Sequence, residues 1–220
     1  MIPQIKICGI ADPAIASEAA ALGADFIGVI FAPRSPRCID IARACLIASA
    51  ARCASGGKPP RVAGVFTGQT ADFILSAVQA VPLDIVQLHG GCAEDAACVL
   101  KRAGVEVWAA DCECADNVAA ADAVLLDGRD GARTGGTGIA ADWRLVGEYK
   151  ARGRKVVLAG GLGERNIAEA AATGADVLDV NSSLETAPGV KDPVLLRRLF
   201  AVFRAGLQEK HRRGSGGRAV

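Results

Sequence analysis

The first stretch that could perform chemistry lies near the N-terminus and reads Gln4-Ile5-Lys6-Ile7-Cys8-Gly9. Its β-branched residues and the glycine that ends it predict a short buried strand. Side chains alternate along a strand, so Lys6 and Cys8 share one face. Because active sites form at the carboxyl ends of parallel strands, a lysine and a thiol in this position indicate chemistry, with Cys8 as the first catalytic candidate.

A second candidate is Asp127, which follows the apolar run Leu125-Leu126. A thiolate accepts a proton and a protonated carboxyl group donates one, provided that the surroundings tune both groups. Cys8 and Asp127 would therefore form an acid–base pair if their strands end at the same mouth. Considered singly, Cys8 is more typical of a packed core thiol, and Asp127 of a helix or loop cap.

Clusters of glycine and serine follow three apolar runs in the second half of the chain and indicate a phosphate site. Glycine lets backbone N–H groups converge on an anion, and barrels commonly bind phosphate near their last two strands. The candidate phosphate-binding residues are Gly136, Gly138, Gly160, Gly161, Ser182 and Ser183.

Three further polar residues could bind the rest of a substrate. Arg37, in the segment Arg34-Ser35-Pro36-Arg37, could hold a second anionic group such as a carboxylate, and a solvated surface loop is the alternative. Gln87 and His89 close another apolar run with their side chains on one face, where they would orient a substrate. A hydrogen-bonded histidine at the mouth accounts for His89 equally well.

Short β-branched runs alternate with alanine-rich helical runs along the chain. The sequence predicts strands near residues 4–9, 25–31, 61–67, 84–88, 105–110, 122–127, 154–159 and 175–181. It predicts helices near residues 13–22, 39–54, 70–80, 93–103, 115–120, 140–152, 164–173 and 192–208. Strict alternation implies parallel strands with right-handed crossovers. Eight such units fit an α/β fold that consists of a single (β/α)8 barrel over residues 1–208.

The predicted barrel also gives the buried lysine a partner. Closure places the eighth strand beside the first, so Asp179 is the expected ion-pair partner of Lys6, which would otherwise be a costly unpaired charge. The carboxyl ends of all strands meet at one face, where the candidate site residues are expected to gather. Beyond the barrel, residues 209–220 are polar, basic and glycine-rich, and they are predicted to form a disordered tail.

Composition argues against several classes of function. The net charge of +1, from 25 basic and 24 acidic residues, and the aromatic content of 4% give no reason to expect nucleic acid or membranes as partners. The first residues lack the pattern of a signal peptide, and cysteines scattered among alanines are typical of free thiols in a reducing cytoplasm. With two histidines in the chain, a metal site is not expected.

In their order and spacing, a series of motifs resembles the phosphoribosylanthranilate isomerase family, whose members are (β/α)8-barrel enzymes of tryptophan biosynthesis. The motifs extend over nearly the whole chain apart from the tail. They are Lys6-Ile7-Cys8-Gly9-Ile10, Gly23-Ala24-Asp25-Phe26-Ile27-Gly28, Ser35-Pro36-Arg37, Gly64-Val65-Phe66, Val86-Gln87-Leu88-His89-Gly90, Leu125-Leu126-Asp127, Gly135-Gly136-Thr137-Gly138, Asp142-Trp143, Leu158-Ala159-Gly160-Gly161-Leu162 and Pro188-Gly189-Val190-Lys191-Asp192.

The resemblance implies an Amadori rearrangement of N-(5-phosphoribosyl)anthranilate to 1-(2-carboxyphenylamino)-1-deoxyribulose 5-phosphate, with no cofactor. It implies that Asp127 protonates the furanose ring oxygen, that Cys8 then removes the proton from C2′, and that Arg37 holds the anthranilate carboxylate. The implied partner is this small phosphoribosyl substrate, and we expect a monomer or a homodimer. The phosphate cradle that the resemblance implies is the backbone around Gly138, Gly161, Ser182 and Ser183.

The chain departs from the family pattern after the predicted eighth strand. Ser183 stands where the family usually has glycine, and a left-handed backbone at a serine would be strained. Two alternatives therefore stay open, namely another phosphosugar-processing barrel enzyme and a non-catalytic phosphosugar-binding sensor. Metal-dependent epimerases need several histidines at strand ends, and here only His89 is so placed. Turnover of the isomerase substrate separates a sensor from an enzyme.

Overall fold

The computed structural model describes residues 2–54, 56–130, 133–134 and 141–215. The barrel strands are β1 (Gln4–Ile7), β2 (Phe26–Ile30), β3 (Arg61–Phe66), β4 (Ile85–Leu88), β5 (Glu106–Ala110), β6 (Ala123–Leu126), β7 (Lys155–Leu158) and β8 (Val177–Val180). The helices are α1 (Pro13–Ala21), α2 (Ile41–Ala54), α3 (Ala71–Ala80), α4 (Ala96–Arg102), α5 (Ala115–Ala120), α6 (Arg144–Ala151), α7 (Ile167–Ala170) and α8 (Pro193–Ser215).

The strands form a closed parallel barrel in which each strand pairs with its neighbours in sequence. Closure occurs between β1 and β8, with Lys6 opposite Asp179 and Ile7 opposite Val180. Each predicted strand and helix overlaps the element observed at its place in the chain. The predicted (β/α)8 barrel is therefore confirmed.

Four aspartates tie the strands together at the amino ends of the barrel. Each stands immediately before an even-numbered strand, and its carboxylate accepts the backbone N–H of the preceding odd-numbered strand at 2.7–2.9 Å. We call these residues the aspartate clamps. The pairs are Asp25 with Ile5, Asp84 with Val62, Asp122 with Val107, and Asp176 with Val156. Barrels keep their stabilising contacts at this end and their chemistry at the other.

The interior of the barrel is filled by two large rings among small side chains. Phe26 and Trp108 are almost fully buried and meet edge to face, with ring centroids 5.1 Å apart. The other side chains of this layer are Ala63, Ile85, Ala110, Ala123, Leu125, Val157, Ala159 and Val177. A second, larger core lies between the strands and the surrounding helices. No helix within the described ranges combines the length and apolar character that crossing a bilayer demands.

The structure adds elements that the sequence did not predict, and it moves one boundary. Short antiparallel pairs join Arg129–Asp130 to Arg133–Thr134, and Glu185–Ala187 to Val190–Lys191. Helix α8 continues to Ser215, so residues 209–215 belong to the helix rather than to the tail predicted from residue 209. The polar residues of this segment include Glu, Lys and Arg, which are strong helix formers. Residues 216–220 lie outside the described residues.

Removing an aspartate clamp should lower the stability of the fold without changing the residues of the cavity. Replacing Asp25 by alanine removes the acceptor of the Ile5 N–H, and a buried donor left without a partner costs about 1–3 kcal/mol. Urea denaturation should therefore show a loss of this size in Asp25→Ala. Glu148→Ala, at an exposed position of α6, is the control and should stay within about 0.5 kcal/mol. Equal stability of the two variants would contradict the role of the clamp.

Candidate active site

A cavity of about 470 Å³ opens at the carboxyl ends of the barrel strands. Most of the predicted site residues line it, namely Cys8, Arg37, Gln87, His89, Asp127, Gly160, Gly161 and Ser182. Ser183 is not in this lining, and Gly136 and Gly138 lie outside the described residues. The strand ends thus bring the two acid–base candidates, the arginine and a pair of glycines to one space.

Beneath the cavity, Lys6 is completely buried and makes three polar contacts. Its Nζ donates to Asp179 Oδ2 at 2.6 Å, to Gln87 Oε1 at 2.8 Å and to Cys8 Sγ at 3.2 Å. The register between β1 and β8 sets Lys6 opposite Asp179, so the predicted ion pair is confirmed. Gln87, which was expected to orient a substrate, lines the cavity, and its side-chain oxygen accepts this hydrogen bond from Lys6.

Cys8 is a free thiol that is 5% exposed and opens onto the cavity. Burial and the charge of Asp179 raise the pKa of Cys8, although Lys6 opposes them. A raised pKa makes the thiolate a stronger base. Gly28 on β2 provides the space for this arrangement, because a Cβ there would lie 2.8 Å from Cys8 Sγ and 3.1 Å from Lys6 Cε.

Asp127 directly follows β6 and contacts His89, which follows β4. The Asp127 Oδ2 atom is 3.2 Å from His89 Nε2, and the two side chains are 12% and 13% exposed. The two atoms are close, but their contact lacks the geometry of a hydrogen bond. The two side chains therefore lie side by side, and both line the cavity.

Arg37 is held by a residue that sequence reasoning did not single out. The Arg37 Nε and Nη2 atoms donate to the two carboxylate oxygens of Glu185 at 2.8 and 2.7 Å. A guanidinium group carries five N–H donors, so this bidentate pair orients Arg37 without using all of them. The remaining donors can serve an anionic ligand.

Lys191 completes a buried charge network with Glu185. Its Nζ donates to Glu185 Oε1 at 2.6 Å and to the side-chain and backbone oxygens of Asn181 at 2.8 and 3.0 Å. Burial raises the pKa of Glu185, but hydrogen bonds from Arg37 and Lys191 outweigh it and lower the pKa to about 2. Glu185 and Lys191 stand on either side of Pro188-Gly189, a short way after the predicted eighth strand. This acid and base around a turn are the sequence signal that could have revealed the pair.

The glycine pair after β7 presents backbone to the cavity. Gly160 and Gly161 have φ values of 82° and 65°, a conformation that other residues rarely adopt. After β8, Ser182–Leu184 form one 3₁₀ turn, and no described residue other than glycine has a positive φ. The strain predicted at Ser183 is therefore wrong. The Ser183 hydroxyl instead donates to Leu162 O at 2.5 Å and links the loops after β7 and β8.

The arrangement suits proton transfer on a small anionic molecule. It combines a buried basic thiol, a carboxyl group beside an imidazole, an oriented guanidinium and exposed backbone at glycines. Within the described part of the chain, no group of three or more His, Cys, Asp or Glu side chains is arranged to hold a metal ion. The fold and the site together define a (β/α)8-barrel enzyme.

Comparison with known proteins identifies the family. The family model for N-(5'phosphoribosyl)anthranilate (PRA) isomerase matches residues 5–202. The N-(5'-phosphoribosyl)anthranilate isomerase of Cereibacter sphaeroides is 39% identical over 217 residues, which covers 91% of this chain and 98% of the relative. The tryptophan biosynthesis protein TrpCF of Vibrio parahaemolyticus is 37% identical over 209 residues, and this match spans 90% of the chain and 40% of that longer protein.

Solved structures agree with the sequence relatives. The phosphoribosyl anthranilate isomerase from Thermus thermophilus superposes with a TM-score of 0.78 at 33% identity, covering 92% of this chain and 98% of that one. A phosphoribosyl anthranilate isomerase in complex with reduced 1-(o-carboxyphenylamino)-1-deoxyribulose 5-phosphate gives 0.74 at 27%, covering 93% and 100%. The chain belongs to the PRA isomerase family, and the expected class of enzyme, an isomerase, is confirmed.

Gly28 offers a test of how tightly the thiol is positioned. Gly28→Ala should displace Cys8 and lower kcat on the order of 10²-fold, because small misplacements of reacting groups are costly. Overpacking should also cost about 1–3 kcal/mol of stability. Gly147→Ala in α6 is the matched control, since a Cβ there meets nothing within 4 Å. If both variants turned over like the wild type, the space at Gly28 would have no role in positioning.

Glu185 predicts how acid weakens the fold. Its pKa is about 2 in the folded protein against an ordinary value of 4.5, so the carboxylate stabilises the fold fully above pH 4.5. This stabilisation is lost as the pH falls from 4.5 towards 2. Denaturation curves at several pH values should show a smaller acid-induced loss in Glu185→Gln than in the wild type. Glu148→Gln, on exposed α6, should keep the full loss, and identical curves for both variants would refute the assignment.

Proposed function

We propose that this protein isomerises N-(5'-phosphoribosyl)anthranilate to 1-(2-carboxyphenylamino)-1-deoxyribulose 5-phosphate by acid–base catalysis. The observation that carries the proposal is that Cys8 and Asp127 open onto one cavity, together with Arg37 and the glycine pair Gly160-Gly161. The substrate carries a phosphate and a carboxylate, and the cavity offers a group suited to each. Membership of the PRA isomerase family supports the same reaction.

In the first step, Asp127 donates a proton to the furanose ring oxygen. The bond between that oxygen and C1′ breaks, and the nitrogen lone pair forms the C1′=N bond of a protonated Schiff base. In the second step, the Cys8 thiolate takes the proton from C2′. The C–H electron pair becomes the C1′=C2′ bond, and the nitrogen regains its lone pair. The enolamine then becomes the ketone as the hydroxyl proton leaves O2′ and C1′ gains a proton.

The environments of the two groups support these roles. Burial raises the pKa of Cys8, which strengthens the thiolate as a base for a carbon acid. Asp127 is reachable from the cavity and is oriented by His89, which suits a group that must meet a ring oxygen. Gln87, which lines the same cavity, is assigned an orienting role. The reaction is a rearrangement within one molecule, so these residues need no cofactor.

The anionic ends of the substrate set the remaining assignments. We assign the carboxylate to Arg37, which Glu185 orients. The phosphate is assigned to the loops after the last three strands, with the backbone of Ser183 included although its hydroxyl is engaged. The residues proposed for the phosphate are Gly136, Gly138, Gly160, Gly161, Ser182 and Ser183.

The setting of the enzyme is part of the same proposal. The residues assigned above all come from one barrel, so a monomer or a homodimer would suffice. A cytoplasmic location is supported by composition, since cysteines scattered among alanines are typical of a reducing compartment. We propose no nucleic acid or membrane partner.

Turnover with two variants tests the proposal. The fluorescence of phosphoribosylanthranilate, generated in situ, should fall when the purified protein is added. Cys8→Ser and Asp127→Asn should each lower kcat by about 10²–10⁴-fold, because each removes one acid–base group. An inactive wild type that still binds the reduced product analogue would favour the sensor. An active wild type with an undiminished Cys8→Ser variant would transfer the base role to His89.

A further inference from the structure

Lys6 is a buried cation to which the steps above give no part. We propose that Lys6 is a positioning residue of the isomerisation, which fixes the Cys8 sulfur at the cavity and stabilises the thiolate that takes the substrate proton. This inference rests on the proposed function and adds a residue to its machinery. It concerns the side chain that acts on Cys8, not one that touches the substrate.

The three hydrogen bonds of Lys6 are the first observation that supports this role. An ammonium group has three N–H donors and no acceptor. The structure supplies three acceptors for them, and besides Asp179 and Gln87 the third is the Cys8 sulfur at 3.2 Å. One donor of a fully buried cation is thus directed at the proposed base. Gly28 leaves the space in which this contact forms, since a Cβ there would collide with both side chains.

The charged groups around Cys8 are the second observation that supports this role. Arg37 and Lys191 are cations near the sulfur, but both donate to Glu185, whose single negative charge offsets part of theirs. Lys6 is the cation that contacts the sulfur directly, and Asp179 is the anion beside it. The charged and titratable groups that line the cavity with Cys8 or act on its charge are Lys6, Arg34, Arg37, His89, Asp127, Asp179 and Lys191.

Lys6 keeps its own proton throughout. Burial lowers the pKa of Lys6, but the charges of Asp179 and Cys8 outweigh burial and raise it. An unpaired thiolate would be costly in this interior, and a permanent ammonium partner reduces that cost. When the thiolate takes the proton from C2′, the proton stays on sulfur. The role of Lys6 is therefore electrostatic and geometric, and no proton passes through it.

Two substitutions should shift the pH midpoint of Cys8 alkylation in opposite directions. The alkylation of Cys8 by iodoacetamide is followed against pH, with the Cys8 peptide quantified by mass spectrometry. Lys6→Met should raise the midpoint by about one to two pH units, as expected for losing a bond to a charged group. Asp179→Asn should lower the midpoint, because it removes the opposing anion and keeps Lys6. Lys6→Met should also lower kcat at neutral pH by about tenfold or more, with KM little changed.

A merely structural role would damage both variants without opposite shifts. Lys155→Met, which lies beside Trp108 and away from Cys8, is the control and should leave the midpoint in place. An unchanged midpoint in Lys6→Met, or a raised one in Asp179→Asn, would overturn the inference. If Lys6→Met does not fold, Lys6→Gln takes its place, because it also removes the charge and should raise the midpoint.

The test also separates this inference from the function on which it rests. Wild-type turnover with unshifted midpoints would overturn the role of Lys6 alone. Absent turnover would overturn the proposed isomerisation, and with it the role of Lys6 in that reaction, whatever the midpoints show.

Discussion

The ion pair between Lys6 and Asp179 lies at the seam where the first and last strands close the barrel. The two residues are 173 positions apart, and either charge alone would be very costly in the interior. A slip of one residue in the pairing would turn the opposite face of β1 inward. Cys8 would then leave the cavity together with Lys6. The contact that sets the register of the seam therefore also sets the position of the thiol.

Charged networks at this depth are unusual, because apolar side chains of similar volume often give equal or better stability. The protein nevertheless keeps two of them at the mouth. One joins Lys6, Asp179 and Gln87 under the thiol, and the other joins Arg37 to Glu185. In the first network Asp179 fixes Lys6, which contacts the Cys8 sulfur. In the second network Glu185 fixes Arg37, which lines the cavity. Compared with apolar side chains, these networks lower the stability of the fold, but they leave the groups of the site charged and oriented before a substrate binds.

The barrel and the seam could be predicted because both follow from local patterns. Short β-branched runs and glycine or aspartate turns mark the strands, and strict alternation leaves few topologies, so the pairing of Lys6 with Asp179 follows from closure. The pairing of Arg37 with Glu185 could not be predicted, since it joins two loops 148 residues apart whose paths no periodicity specifies. The turn at Ser183 was mispredicted because a family glycine suggested a left-handed backbone, whereas the chain makes a 3₁₀ turn.

The aspartate clamps have a consequence for how such a protein can change over generations. Each clamp joins two consecutive strands at the end of the barrel that is remote from the cavity. The backbone of the barrel is therefore secured by contacts that no residue of the mouth shares. Loops at the mouth can vary in sequence and length while the clamped strands keep their pairing. Because the stabilising clamps and the cavity lie at opposite ends of the barrel, substitutions that change specificity at the mouth cost the fold little stability.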